Sequence, residues 1–189
     1  MRFLLSLCVL VALTMTASAK GFYVQTMAGA NWSDTTNALG TDADVGFVLG
    51  GAVGTSIDAV PGLSLEGELA FRNNSVSTFG GFIDGDQDQT TFMANVRYDL
   101  IREGAYKPYV LAGVGYGSNK LSIENSPIAF ESQGVAWQLG TGVEMRVADG
   151  VWVGAGYRYV QTPEVEVLGF ELSDGSNHNV MATARFSFN

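Results

Sequence analysis

Two runs of apolar/polar alternation, residues 134–147 and 151–160, constrain this chain more than any other feature. In the first run Val135, Trp137, Leu139, Thr141, Val143, Met145 and Val147 share one face, while Ala136, Gln138, Gly140, Gly142, Glu144 and Arg146 share the other. In the second, Val151, Val153, Ala155, Tyr157 and Tyr159 oppose Trp152, Gly154, Gly156 and Arg158. Alternation of period two on both sides of the Ala148-Asp149-Gly150 turn is a β-hairpin. Strands of soluble sheets average about five or six residues, whereas a tilted strand crossing a bilayer needs about 9–11. These runs have the second length. A lone hairpin would leave its outer N–H and C=O groups unpaired in hydrocarbon, so the sheet must close on itself.

The chain starts with a different kind of segment. Met1-Arg2 is a short basic start, Phe3 to Met15 is apolar, and Ala17-Ser18-Ala19 is an A-x-A cleavage site. Residues 1–19 read as a secretory signal peptide, and residues 20–189 as a single exported β-barrel domain. Cys8 is the one cysteine in the chain and lies inside that segment, so the mature domain has no thiol for disulfides, zinc–thiolate sites or nucleophilic catalysis. No later segment has the roughly 18 uninterrupted apolar residues of a spanning helix. The formal charge of −9 argues against a nucleic-acid partner, which would need a basic stripe.

The alternation recurs over 21–32, 45–58, 63–73, 90–100, 108–118, 134–147, 151–160 and 178–188. The connections alternate, beginning with a long polar loop and including tight turns near Pro61-Gly62, Glu103-Gly104 and Asp149-Gly150. Four long loops at one end and three turns at the other are the wiring of bacterial outer-membrane barrels. Aromatics collect near both strand ends. Phe22, Tyr98 and Phe188 lie at the turn end, and Trp32, Phe47, Phe71, Phe92, Tyr116 and Tyr159 at the loop end, as in interfacial girdles. The expectation is an all-β fold, a closed eight-stranded antiparallel up-and-down transmembrane β-barrel. The competing fold is a soluble, ligand-binding secreted barrel with its apolar face turned inward.

By the same alternation Glu66, Glu68, Arg72, Arg97, Glu144, Arg146, Arg158 and Arg185 project into the lumen. Unpaired buried charges cost several kcal/mol each, so these should pair across the interior. The interior of an eight-stranded barrel is about wide enough for its own side chains. A polar plug follows from this, with a narrow pore for small solutes or ions as the alternative. Gly113, Gly115, Gly117, Gly140, Gly142, Gly154 and Gly156 leave one wall nearly bare. Large residues opposite, such as Tyr23, Met27 and Met93, either fill that space or leave a water path.

The loops hold most of the acidic excess. Asp34, Asp42 and Asp44 lie in the first, Asp84, Asp86 and Asp88 in the second, and Glu164, Glu166, Glu171 and Asp174 in the fourth. Asp84-Gly85-Asp86-Gln87-Asp88 has the carboxylate spacing of a calcium loop. Gln89 stands where that loop needs Gly, however, and Asn95 where it needs Glu, so no metal or cofactor is expected. Divalent bridging to lipopolysaccharide phosphates is a looser use of the same charge. In the fourth loop Val165, Val167, Leu168, Phe170 and Leu172 suit a hairpin reaching beyond the membrane toward a host or envelope ligand. Ser176, His178 and Glu171 are the one Ser/His/acid set available to a lipid-modifying hydrolase. Near a strand rim that histidine reads as a solvated loop residue, so the chain reads as no enzyme.

The stretches GFYVQTMAGANW, KPYVLAGVGYG, GTGVEMRV and ATARFSFN resemble the OmpA/OmpX-type small outer-membrane β-barrel proteins, and the resemblance covers nearly all of residues 20–189. It implies insertion by the outer-membrane assembly machinery through the C-terminal strand, a place among outer-membrane lipid and lipopolysaccharide, periplasmic termini and extracellular loops. Phe186 and Phe188 match the family's terminal assembly signal, although Asn189 follows the last aromatic. The resemblance also implies that Glu144 meets arginines of neighbouring strands. The matching positions here are Leu111 and Gly154, so its partners have to come from Arg97, Arg158 or Arg185. The function that follows is structural or surface-interactive and adhesin-like.

These faces make one prediction. Mass analysis of the exported chain should place its N-terminus at Lys20, and that polypeptide should fold as a monomer only with detergent or lipid. A folded monomer in plain buffer would invert the assignment of the two faces.

Overall fold

A computed structural model describes residues 21–33, 42–43, 45–78, 83–123, 129–163, 165–167, 170–173 and 175–188. The expected signal segment with Cys8, and loop residues Asp34, Asp44, Glu164, Leu168 and Asp174, lie outside the described residues. Eight long strands make the wall: β1 (Phe22–Trp32), β2 (Gly46–Ser56), β3 (Leu63–Thr78), β4 (Ile83–Asp99), β5 (Tyr106–Ile123), β6 (Ala129–Ala148), β7 (Val151–Gln161) and β8 (Ser176–Phe188). Each pairs antiparallel with its neighbours in the chain. β8 returns to β1 in register from Phe22↔Phe188 to Trp32↔His178, which closes the cylinder. Asp42–Ala43 adds a short pairing to β3. Val165–Val167 pairs with Phe170–Ser173, giving the hairpin expected within the fourth loop.

Burial follows the two-residue period. On β4 and β6 the outward Phe92, Val135 and Leu139 are 64%, 73% and 54% exposed, and the inward Met93, Ala136 and Gln138 are 0% exposed. Apolar groups are therefore outside and charged groups inside, the reverse of a soluble ligand-binding barrel. The hydrocarbon-facing wall needs no polar groups because every strand has a paired neighbour on both sides.

Two of the expected long loops are mostly strand. β3 runs on to Thr78 and β4 begins at Ile83, while β5 reaches Ile123 and β6 begins at Ala129. Residues 74–78 carry one apolar side chain, Val76, and residues 119–123 only Leu121 and Ile123, so the long apolar stripe of a membrane-depth strand stops short of them. The ladder is built from backbone groups, and a register set lower in the wall carries upward through polar residues. Side chains help: Asn73 Nδ2 donates to Asp88 Oδ1 at 2.8 Å, and Gln87 Nε2 to Asn119 Oδ1 at 3.0 Å. The β6–β7 turn is also tighter than three residues. Ala148 pairs with Val151, a bulge lies between Arg146 and Ala148, and Gly150 has the positive φ of 73° that the Asp149-Gly150 turn requires.

The outward face sets a depth-dependent expectation. Val114→Arg, midway along β5, should lower the unfolding free energy in lipid vesicles by about 2–4 kcal/mol, and Gln133→Arg near the loop end by about 0–1. Equal losses in denaturant titrations of the two variants would contradict the orientation given to this wall.

Candidate functional site

The lumen is filled in layers, each built from inward positions of several strands. Nearest the turn end, β4 supplies Arg97 and Asp99, β3 Glu66, β6 Glu144 and β8 Arg185. Arg97 Nη1 donates to Glu144 Oε1 at 2.9 Å while Nη2 lies 2.8 Å from Oε2. Its Nε donates to Asp99 Oδ1 at 3.0 Å. Arg185 Nη2 lies 2.7 Å from the same Glu144 Oε2. One carboxylate thus holds two guanidiniums from strands on either side of it, each two strands away. Glu66 lies 3.9 Å from Arg97 and accepts a 2.7 Å hydrogen bond from the Tyr23 hydroxyl. The Arg97 guanidinium also rests 3.8 Å over the Tyr109 ring.

The middle layer centres on the ion pair of Arg158 with Glu68. Asn95 Nδ2 donates to Glu68 Oε2 at 2.9 Å, and Gln138 Nε2 to Asn95 Oδ1 at 2.7 Å. Beside it are two apolar clusters, one of Met27, Val48, Ala52 and Met181 and one of Met93, Ala136 and Val160. Towards the loop end Arg72 donates from Nε to Asn179 Oδ1 at 2.9 Å and from Nη1 to Thr91 Oγ1 at 3.0 Å. Above it amides close the mouth. Asn31 Nδ2 donates to Asn74 Oδ1 at 2.7 Å, and Ser33 Oγ to Asn177 Oδ1 at 3.2 Å. Asn119 Nδ2 reaches the Pro163 carbonyl at 3.4 Å.

The bare glycine wall is covered rather than empty. A Cβ at Gly142 or Gly156 would meet the Tyr109 hydroxyl at 2.6 or 2.7 Å, and one at Gly115 would meet Met93 Sδ at 2.9 Å. Large residues fill the space that small ones leave, the ordinary solution for a narrow barrel.

Of the eight charged residues read as inward, Glu66, Glu68, Arg72, Arg97, Glu144, Arg158 and Arg185 are buried in the lumen. Arg146 is not: it is exposed. It has the inward parity, but it lies beside the bulge at the β6–β7 turn, past the last layer that side chains close. Glu144 takes Arg97 and Arg185 as partners, and Arg158 goes to Glu68 instead. Sequence reasoning missed Asp99, although it shares a face with Arg97 at a spacing of two. It also missed the Asn31, Asn74 and Asn177 group, because single amides in separate strands carry no local pattern.

His178 belongs to the outer face, stacked on Trp32 at 5.8 Å, edge-on to Tyr159 at 5.2 Å, and with Nδ1 2.6 Å from the Tyr157 hydroxyl. The expected solvated histidine is therefore part of the loop-end aromatic girdle, because its parity on β8 is that of Val180 and Phe186. Residues 84–88 form β4 backbone paired to β3 and β5, whereas a calcium loop needs a turn. Among the described residues no three metal-ligating side chains gather.

A family model for an outer membrane protein β-barrel domain matches residues 3–186. The chain is 33% identical to the outer membrane protein PagN of Salmonella typhimurium over 86 residues, 41% of this chain, and it spans 36% of that relative's length. Among solved structures it is similar to Neisserial surface protein A, with a TM-score of 0.66, 20% identity, and coverage of 90% of this chain and 99% of that one. It is also similar to OprG of Pseudomonas aeruginosa, with a TM-score of 0.54, 16% identity, and coverage of 90% and 98%.

The shared carboxylate gives a measurable contrast. Glu144→Gln strands two buried guanidiniums and should cost about 3–5 kcal/mol of folding free energy. Arg146→Ala should stay within about 0.5 kcal/mol of the parent. Denaturant unfolding in vesicles reads both, and comparable losses would refute the difference in burial.

Proposed function

The chain belongs to the outer-membrane protein β-barrel family, and from that membership we propose a structural and surface-interactive, adhesin-like role for it in the Gram-negative outer membrane rather than transport. The observation that carries this reading is the occupied lumen. Contacts from Arg97 through Glu144 to Arg185, and from Gln138 through Asn95 to Glu68 and Arg158, cross the interior at two heights. A solute on the axis would have to break buried ion pairs, each worth several kcal/mol to separate.

What is left for function is the loop end. β3 to β6 are 16 to 20 residues long, and about 9–11 suffice to cross the hydrocarbon. The surplus projects a wall on which Asp86, Asp88 and Glu131 are exposed. In this reading residues 1–19 are removed on export, the termini are periplasmic and the projecting wall is extracellular. β8, with Phe186 and Phe188, is the strand read by the assembly machinery. The girdle of Trp32, Tyr159 and His178 meets the lipopolysaccharide leaflet, and the fourth-loop hairpin engages a host or envelope ligand. A hydrolase is disfavoured, since the His178 Nδ1 is engaged by Tyr157 on the outer face.

Two measurements test this role. In planar bilayers the folded chain should give no discrete conductance steps; regular steps would replace the plug with a narrow pore. Bacteria producing the chain should adhere to cultured epithelial monolayers, and deletion of residues 164–173 should abolish that adherence while the heat-modifiable barrel still forms. Unchanged adherence of the deletion variant would remove the hairpin from the role.

A further inference from the structure

The outward wall is not evenly bulky. Val114 on β5 and Leu139 on β6 stand exposed on it, whereas successive outward positions of β1 are Ala30, Ala28 and Thr26. These pair with Val180, Ala182 and Ala184 of β8 on one side and with Phe47, Leu49 and Gly51 of β2 on the other. The result is an open groove of about 430 Å³, lined by Thr26, Ala28, Ala182 and Ala184 and walled by Leu49.

Rings mark both ends of this path. Towards the turn end Phe22 and Phe188 stack at 6.0 Å. At the loop end Trp32, the next outward residue of β1 after Ala30, stacks on His178, which also meets the rings of Tyr157 and Tyr159. From His178 to Ala184 the strand advances about 20 Å, or about 14 Å in depth at a tilt near 45°, close to half of a roughly 30 Å hydrocarbon core. The groove therefore joins the ring cluster at the boundary to the middle of the bilayer, the reach of one acyl chain.

The shape selects the occupant. A second copy packed about a two-fold axis through this face would set hollow against hollow. Disordered lipid tails cover a narrow groove poorly, and wall atoms without near neighbours forfeit dispersion contact. A straight chain laid along β1 restores that contact, which matters in hydrocarbon because apolar burial itself gains nothing there. The outward positions of β1, β7 and β8 hold no Lys or Arg. Ring faces with polar rims and no cation beside them suit the C–H face and hydroxyls of a sugar better than a bare phosphodiester.

We propose that this groove binds one molecule of a glycolipid with saturated acyl chains. One chain lies along Ala30, Ala28 and Thr26, and a head-group sugar rests on the Trp32–His178 stack. This gives the lipopolysaccharide contact named above a defined seat, and it rests on the reading that the loop end faces the outer leaflet.

The test uses the mature chain, methyl-labelled at alanine and folded in detergent micelles, titrated with hexa-acylated lipid A or with dipalmitoyl phosphatidylglycerol. With lipid A the methyl resonances of Ala28, Ala182 and Ala184 should shift and saturate at one lipid per chain, while that of Ala112 on β5 stays in place. With the phospholipid none should saturate. Ala28→Leu, which fills the groove with the protein's own side chain, and Trp32→Ala should each weaken lipid A about fivefold or more; Ala112→Leu should not. Equal saturation by the phospholipid, which needs no variant to observe, overturns the proposal. So does unchanged affinity in Ala28→Leu or Trp32→Ala, or methyl shifts that follow protein concentration without lipid, the sign of a second copy. Micelles have no sidedness, so a failure here is separate from a failure of the membrane orientation. Deletion of residues 164–173, which tests adherence, should leave this titration unchanged; loss of lipid A binding in that variant would move the site to the loop.

Discussion

Every N–H and C=O of a chain in hydrocarbon has to find a partner within the protein, and the rest of this structure depends on that requirement. It is met by closure: the register of β8 on β1, from Phe22↔Phe188 to Trp32↔His178, leaves no strand in the wall with an open edge facing lipid. Closure then decides what each face meets. Since successive side chains point to opposite sides, one residue set faces oil and the other is confined to a space with little water. The same constraint that admits Phe92 and Val135 outside forces Glu144, Arg97 and Arg158 inside.

Confinement accounts for the chemistry of the lumen. A cylinder of eight strands has room for little beyond its own side chains, so inward charges are within contact distance of one another and must be arranged. Glu144 is held between Arg97 and Arg185, Glu68 takes Arg158 with help from Asn95, and Tyr109 lies over the glycines of β6 and β7. These contacts span strands distant in sequence, so they lock register and diameter as well as charge. Such a lumen braces the cylinder.

Two features distinguish the loop end. At the membrane boundary Trp32, Tyr157, Tyr159 and His178 form a cluster whose rings suit an interface that is apolar on one side and wet on the other. Above it the β3–β6 wall continues with polar residues, its ladder intact to Thr78 and Ile123. This part of the surface is therefore an extension of the membrane-spanning sheet.

Strand number, the inside and outside faces and the inward placement of seven charged residues were legible in the amino-acid order. All of these follow from a period of two, and each strand displays that period by itself. The partner choice of Glu144, the loss of Arg146 from the lumen, the place of His178 in the girdle and the length of β3 to β6 were not legible. Each depends on height along the barrel, which register sets between strands far apart in sequence. The alternation of a strand tells which way a side chain points. Only the assembled cylinder tells which other side chain it meets there, because a contact across the lumen joins residues at equal depth, and depth is a property of the whole closed sheet.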